Sequence, residues 1–161
     1  MIIHKWPVGI VWGAALGCAL MAGTFFAFSV FVMRALAQLP PAQSIAAMQA
    51  INQVVVESLF LVVFMGSAAL SVAAIVVALG RQHPASHLLL AGSLLYLIGC
   101  FGVTVACNVP LNDGLALVKP HSPDASALWN SYYSSWMLWN HVRTLAALGA
   151  CASFIVALGR S

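Results

Sequence analysis

Ser58-Leu-Phe-Leu-Val-Val-Phe-Met-Gly-Ser-Ala-Ala-Leu-Ser-Val-Ala-Ala-Ile-Val-Val-Ala-Leu-Gly80 is a run of 23 residues without a charged side chain. About 20 mostly apolar residues carry a helix across the hydrocarbon of a bilayer, whereas a barrel strand needs only about 9–11. The run shows no apolar–polar alternation with a period of two, so it reads as a spanning helix and not as strands.

Three further segments read in the same way. Trp6 to Met33 is 28 residues without a charge, and residues 88–112 are also uncharged, apolar from Leu88 to about Cys107. Thr144 to Gly159 has only 16 uncharged residues, but its helical pattern starts upstream near Ser126. Breakers separate the segments: Pro40-Pro41, Arg81-Gln-His-Pro84, and the group Pro110, Pro120 and Pro123. The expectation is one all-α domain, a four-helix transmembrane bundle. Its spans are approximately 8–34, 42–80 (membrane part 58–80), 87–108 and 126–159, with helices 2 and 4 extended beyond the membrane on one side. Lys5 before an apolar run resembles a secretory signal, but the run is too long and has no small-residue cleavage site, so it reads as a retained helix.

Composition agrees. The 161 residues are 63% hydrophobic and 6% charged, and the mean hydropathy is +1.01. A soluble domain carries roughly a quarter charged residues, and disorder requires low hydrophobicity, so both classes are excluded. The net charge of +3 is small and dispersed, which argues against nucleic acid as a partner. Four spans put both termini on one side with Lys5, Arg81 and Arg160, opposite Arg34 and Lys119 and with Arg143 near the boundary. That slight excess favours cytoplasmic termini in a bacterial inner membrane. Cys18, Cys100, Cys107 and Cys151 form no CxxC pair and read as packing residues, and no metal signature is present. Gly9, Gly13 and Gly17 form a ladder on helix 1, followed by Gly23. The ladder is a smooth strip for helix 2, helix 4 or a second copy of the chain in a homo-oligomer.

Polar residues collect at one end of the bundle. Gln49, Gln53 and Glu57 recur every four residues with Asn52 beside them, and Phe60 and Phe64 continue their face into the bilayer. On helix 4, Trp129, Trp136 and Arg143 are seven apart and share a face, flanked by Tyr132, Tyr133, Trp139 and Asn140. His141 points away from Arg143 and serves as a base only if helix 4 is rotated from this register. Cys100, Thr104 and Asn108 lead into a turn through Asn112 and Asp113, and helix 1 arrives with Phe25, Phe28, Met33 and Arg34. Glu57, Asn108, Asn112 and Arg143 thus come to similar depth. One reading is a small-molecule pocket in which Glu57 faces Arg143. The other is ordinary interfacial anchors, a Glu57–Arg143 helix tie and an Asn108 cap. The seven-residue repeat favours the pocket, since anchors need not share one helix face.

Ala46-Ala-Met-Gln-Ala-Ile-Asn-Gln53, Asn108-Val-Pro-Leu-Asn-Asp113 and Trp139-Asn-His-Val-Arg-Thr144, with Gly23 to Ser29, resemble the anthrone oxygenase-like family of small four-span membrane proteins. The resemblance runs from about residue 10 to 158. It implies a membrane oxygenase acting on a hydrophobic aromatic or quinone-like molecule, since some members oxidise anthrones to anthraquinones with molecular oxygen.

The roles of individual residues come from chemistry. Such a reaction needs a base, a donor for the developing oxyanion and a flat apolar slot. Glu57 is the expected base, and Arg143 with Asn108 or Asn140 the oxyanion donors. Trp136 and Trp139 are the expected slot walls, with Phe60, Gln53 and Asn112 completing the substrate contacts. No cofactor is assigned: haem would need an axial ligand from His141, Met48 or Cys107, which form no paired pattern. The loop from Asn112 to Ala127 is either a lid or a plain connector. The alternative function is a non-catalytic lipid or quinone carrier or an accessory structural protein. A transporter is disfavoured because no inverted repeat is visible.

Overall fold

A computed structural model describes residues 7–80 and 85–160. Lys5, Arg81 and the breaker ending at Pro84 lie outside the described residues. Among the described residues five helices form, and four of them are long and apolar enough to cross a membrane. They are α1 (Val8–Leu36), α2 (Pro41–Val56), α3 (Leu59–Gly80), α4 (Ser86–Ala116) and α5 (Ala125–Leu158). The four spanning helices form a ring in which each packs on two neighbours: α1 on α3 and α5, α4 on α3 and α5. The chain is an integral membrane protein of the all-α bundle class. At 1.5 Å per residue, the 34 residues of α5 reach about 51 Å, well beyond a hydrocarbon layer of about 30 Å.

Helix 2 of the sequence reading, expected as one piece over residues 42–80, is two helices. The chain leaves helical geometry at Glu57 (φ −101°, ψ 0°). Ser58 then opens α3, its hydroxyl accepting the Phe60 N–H at 3.2 Å and donating to the Val55 carbonyl at 2.9 Å. A serine oxygen is a good partner for an orphan amide of a helix's first turn, and the β-branched run Val54-Val55-Val56 holds the preceding turn only weakly. The expected turn after Asn108 is likewise absent. α4 continues through Pro110 to Ala116, because a π-helical stretch over Thr104–Asn108 changes the hydrogen-bond register just ahead of the proline.

The buried side chains fall into two clusters. The membrane core gathers Val11, Cys18, Met21 and Phe25 of α1 with Phe64, Leu89, Tyr96, Ala147, Ala150 and Phe154. A second core gathers Met33, Leu36, Ile45, Met48, Leu115, Trp129, Tyr132 and Trp136, so α2 closes one end of the bundle. Hydrogen bonds tie that cap down. Ser44 Oγ donates to the Leu36 carbonyl at 2.7 Å, and Gln49 Nε2 donates to the carbonyls of Leu115 and Val118 at 2.8 and 2.9 Å. These contacts satisfy orphan carbonyls at two helix ends. The segment between α4 and α5 is short, 117–124, and the Gln49 bond fastens it as a connector.

The glycine ladder is used inside the molecule. A β-carbon at Gly13 would meet Leu70 at 3.0 Å, and one at Gly17 would run into the Ser67 side chain, both on α3. Gly9 faces open space. Most of the strip expected to serve a homo-oligomer is therefore occupied by α3. Gly17→Val is expected to cost about 1–3 kcal/mol through overpacking. Thermal unfolding in detergent should show a clear drop in Tm for Gly17→Val and almost none for Gly9→Ala. Equal effects would contradict this packing.

Candidate functional site

The inward stripe of α5 reads Trp129, Tyr132, Trp136, Asn140, Arg143, Ala147, Ala150, Phe154 and Ala157, all buried. Steps of three and four keep one helix face on the bundle axis. Along this stripe Trp129, Tyr132 and Trp136 belong to the cap core, and Ala147, Ala150, Phe154 and Ala157 to the membrane core. Asn140 and Arg143 fall between the two. The same change occurs on α1, where Ser29 separates Phe25 from Met33. A polar layer thus lies at the seam of the two cores.

Asn140, fully buried, organises that layer. Its Nδ2 donates to the Phe25 carbonyl at 2.9 Å and to Ser29 Oγ at 2.8 Å, and its Oδ1 accepts from Arg143 Nη2 at 2.8 Å. Ser29 Oγ also lies 3.3 Å from Thr144 Oγ1. Arg143 is 5% exposed and donates through Nη1 to Thr104 Oγ1 at 3.3 Å. Its guanidinium carbon stands 4.3 Å from the Phe25 ring centroid and 5.2 Å from that of Trp136. Its Nε makes no hydrogen bond among the described residues.

The cation has no carboxylate partner among the described residues. An arginine costs about 2.5–3.5 kcal/mol at the centre of a membrane helix on insertion scales, which sets an upper bound for one nearer the boundary. Each cation–π contact returns about 0.5–2 kcal/mol. The aromatic contacts therefore offset much of the cost without neutralising the charge.

Arg143 lies on the wall of a cavity of about 580 Å³. That volume falls within the range of about 300–1,000 Å³ typical of small-molecule sites. Six aromatic residues line it: Phe25, Phe28, Phe60, Phe64, Phe101 and Trp136. Phe60 stacks on Phe64 with centroids 5.8 Å apart and meets Phe25 edge-on at 6.0 Å. Polar residues on the lining include Gln49, Asn52, Gln53, Thr104, Asn112, Asp113 and Arg143. Asn112 Oδ1 accepts from Trp136 Nε1 at 3.0 Å and from the Tyr132 hydroxyl at 2.9 Å, which fixes the indole against the cavity.

Five of the expected site residues therefore share the cavity: Gln53, Phe60, Asn112, Trp136 and Arg143. Four do not line it. Glu57 is exposed in the break between α2 and α3 and makes no ion pair with Arg143. The expected Glu57–Arg143 pair is absent because that break releases Glu57 from the Gln49–Gln53 face. Trp139 is half-buried away from the wall, one helical step outside the Trp136–Arg143 stripe. Asn108 and Asn140 stand behind the wall. Asn108 is fully buried and donates to the Trp136 carbonyl at 3.3 Å, while its Oδ1 has no partner. His141 is exposed, as its register requires.

Some wall residues were not singled out as site residues. In the sequence Phe25 and Phe28 mark only the end of helix 1, and Asp113 only the close of the Asn108–Asp113 motif. Asn52 stands beside the Gln49–Gln53 face, and Phe101 carries no local motif. The π-helical stretches offer a structural reason for the convergence: Phe28–Val32 on α1, and Leu95–Gly102 and Thr104–Asn108 on α4. Phe28, Phe101, Thr104 and Val105 all project from them onto the cavity. Such widened turns recur at functional sites because they re-aim side chains that a regular helix would place elsewhere.

Asn140→Leu should leave the Phe25 carbonyl, Ser29 and Arg143 short of a partner, at about 1–3 kcal/mol for each buried group. The expected result is a fall of several degrees in Tm in detergent, against less than one for the exposed His141→Ala. A wild-type Tm for Asn140→Leu would contradict the organising role of this amide.

No curated protein and no solved structure matches the chain. A family model described as anthrone oxygenase matches residues 60–153. The matched segment begins at Phe60 on the cavity wall and takes in Thr104, Asn112, Trp136 and Arg143. With more than half of its length covered, the chain belongs to the anthrone oxygenase family.

Proposed function

We propose that the cavity binds a flat, hydrophobic aromatic ketone of the anthrone type and oxidises it with molecular oxygen. The observation that carries this reading is Arg143: a buried cation, with no carboxylate partner among the described residues and with Nε unbonded, on the wall of an aromatic cavity. An anthrone deprotonated at its methylene is an enolate, with negative charge on oxygen and enough electron density to react with oxygen. In the balanced reaction the methylene carbon exchanges two hydrogens for one oxygen atom, and the second oxygen atom leaves as water.

In this reading Arg143 donates to the oxyanion. Fixed donors in a dry site stabilise developing charge far more than water does, because they need no reorganisation. Phe60 and Trp136 form the flat walls, and Gln53 and Asn112 contact the more polar edge. Asn108 and Asn140 act through Trp136 and Arg143. Asp113, the carboxylate on the cavity wall among the described residues, takes the base role first expected of Glu57. The slight positive excess supports cytoplasmic termini in a bacterial inner membrane, with the cavity at the opposite end.

A second reading follows from the same geometry. Asp113 is exposed on the rim while Arg143 is buried, a separation that also suits a carrier binding a quinone-like or lipid anion and releasing it unaltered. Purified protein incubated aerobically with an anthrone decides between them. Oxidation should fall about 100–1,000-fold in Arg143→Ala, and clearly in Asp113→Asn, with both variants still folded at the assay temperature by thermal unfolding. Unchanged turnover in Arg143→Ala would overturn the assignment. Tight binding with the anthrone recovered intact would favour the carrier.

A further inference from the structure

We propose that the cavity is filled sideways from the bilayer, through an opening between α3 and the second half of α4. The inference rests on the reading of the cavity as a ligand site, and it adds the route and the state in which the ligand arrives. α3 packs along the Ser86–Gly102 part of α4 and parts from the Thr104–Ala116 part. The exposed residues of the cavity lining mark where it opens. Leu61 and Met65 stand on the α3 side, and Val105 and Val109 on the α4 side. Met65 is 51% exposed and Val105 53% exposed, although both line the cavity.

Depth identifies what lies outside the opening. The 22 residues of α3 span about 33 Å, close to the hydrocarbon thickness, so Leu59 sits near one boundary. Leu61 and Met65 then lie about 3 and 9 Å inside it. The side chains facing outward here are aliphatic, as a lipid-facing surface requires. Gln53 and Asp113, the polar exposed residues of the same rim, belong to the α2 side and to the far end of α4, on the water side of this boundary. The rim therefore grades from hydrocarbon to interface, with the apolar part facing acyl chains.

A charged molecule at this depth is costly. The occupant must cross the opening as a neutral, membrane-dissolved compound and acquire its negative charge only beside Arg143. The proton released then has the Asp113 edge of the rim as its way to water. Molecular oxygen, which dissolves well in hydrocarbon, reaches the cavity by the same door.

The route is tested without any ligand. Trp136, on the cavity wall, is kept as the sole tryptophan by replacing Trp6, Trp12, Trp129 and Trp139 with Phe. The protein is reconstituted in vesicles of phosphatidylcholine brominated on the acyl chain, and fluorescence is compared with that in unbrominated vesicles. Trp136 should be quenched by the brominated chains and little affected by iodide in the water. Met65→Phe with Val105→Phe, which narrows the opening at two exposed positions, should reduce the quenching at least twofold. Leu138→Phe, exposed on α5, should leave it unchanged. Quenching that is unaffected by the paired substitution, or iodide quenching as strong as that by bromine, would overturn the lateral route. Because no substrate is present, either result bears on the route alone and leaves the ligand reading to the anthrone assay.

Discussion

A guanidinium at membrane depth, with no carboxylate to pair with it among the described residues, is the constraint around which this end of the bundle is arranged. Arg143 is only 5% exposed, and the protein supplies neutral partners in place of bulk water: two ring faces, an amide oxygen and a hydroxyl. Each partner is held in turn by something else. Asn140 is held by the α1 backbone, and Trp136 by Asn112. The result is a positive charge whose surroundings are ordered before any ligand arrives, the condition under which electrostatic stabilisation is most effective. A salt bridge would have been a safer way to hold two helices, but it would have used up the charge.

The division into two hydrophobic cores follows from this layer. A polar stratum cannot pack like leucine and alanine, so the bundle is cut across its axis at Ser29, Asn140 and Arg143. Below the cut, small residues let the helices approach closely, as at Gly17 against Ser67 and Gly99 against Ala146. Above it, large rings and the separate helix α2 hold the walls apart. The cavity occupies the side of the seam where α2, α3 and α4 fail to close. In both proposed readings, carrier and oxygenase, that opening would be the functional element and the tight lower half its frame.

The bundle was legible in the sequence because its signal is coarse. Charge-free runs of the right length are sufficient for spanning helices, and the bounds of α1 and α5 came within a few residues. The seven-residue spacing of Trp129, Trp136 and Arg143 also located the buried stripe of α5, since helical periodicity is a local property. Two local features escaped. Glu57 and Ser58 broke the second helix through a capping interaction that looked like ordinary helix interior. Pro110 reads as part of a turn in the sequence, whereas π-helical register ahead of it lets the helix run on. Those two features decided the site. The first removed Glu57 from Arg143, and the second carried Asn112 and Asp113 onto the cavity wall. The Phe25–Arg143 and Asn140–Phe25 contacts join residues more than a hundred positions apart, and no spacing rule announces them.

The central claim is that Arg143 exists to hold a negative oxygen in a dry aromatic slot. A hydroxyanthracene that cannot be oxidised further under anaerobic conditions reports on this directly, since its anion absorbs at longer wavelength than its neutral form. Bound to the protein at a pH where the free compound in water is neutral, it should show the spectrum of the anion, and Arg143→Gln should restore the neutral spectrum. A neutral spectrum on the wild-type protein, or an anion spectrum that survives Arg143→Gln, would contradict the account.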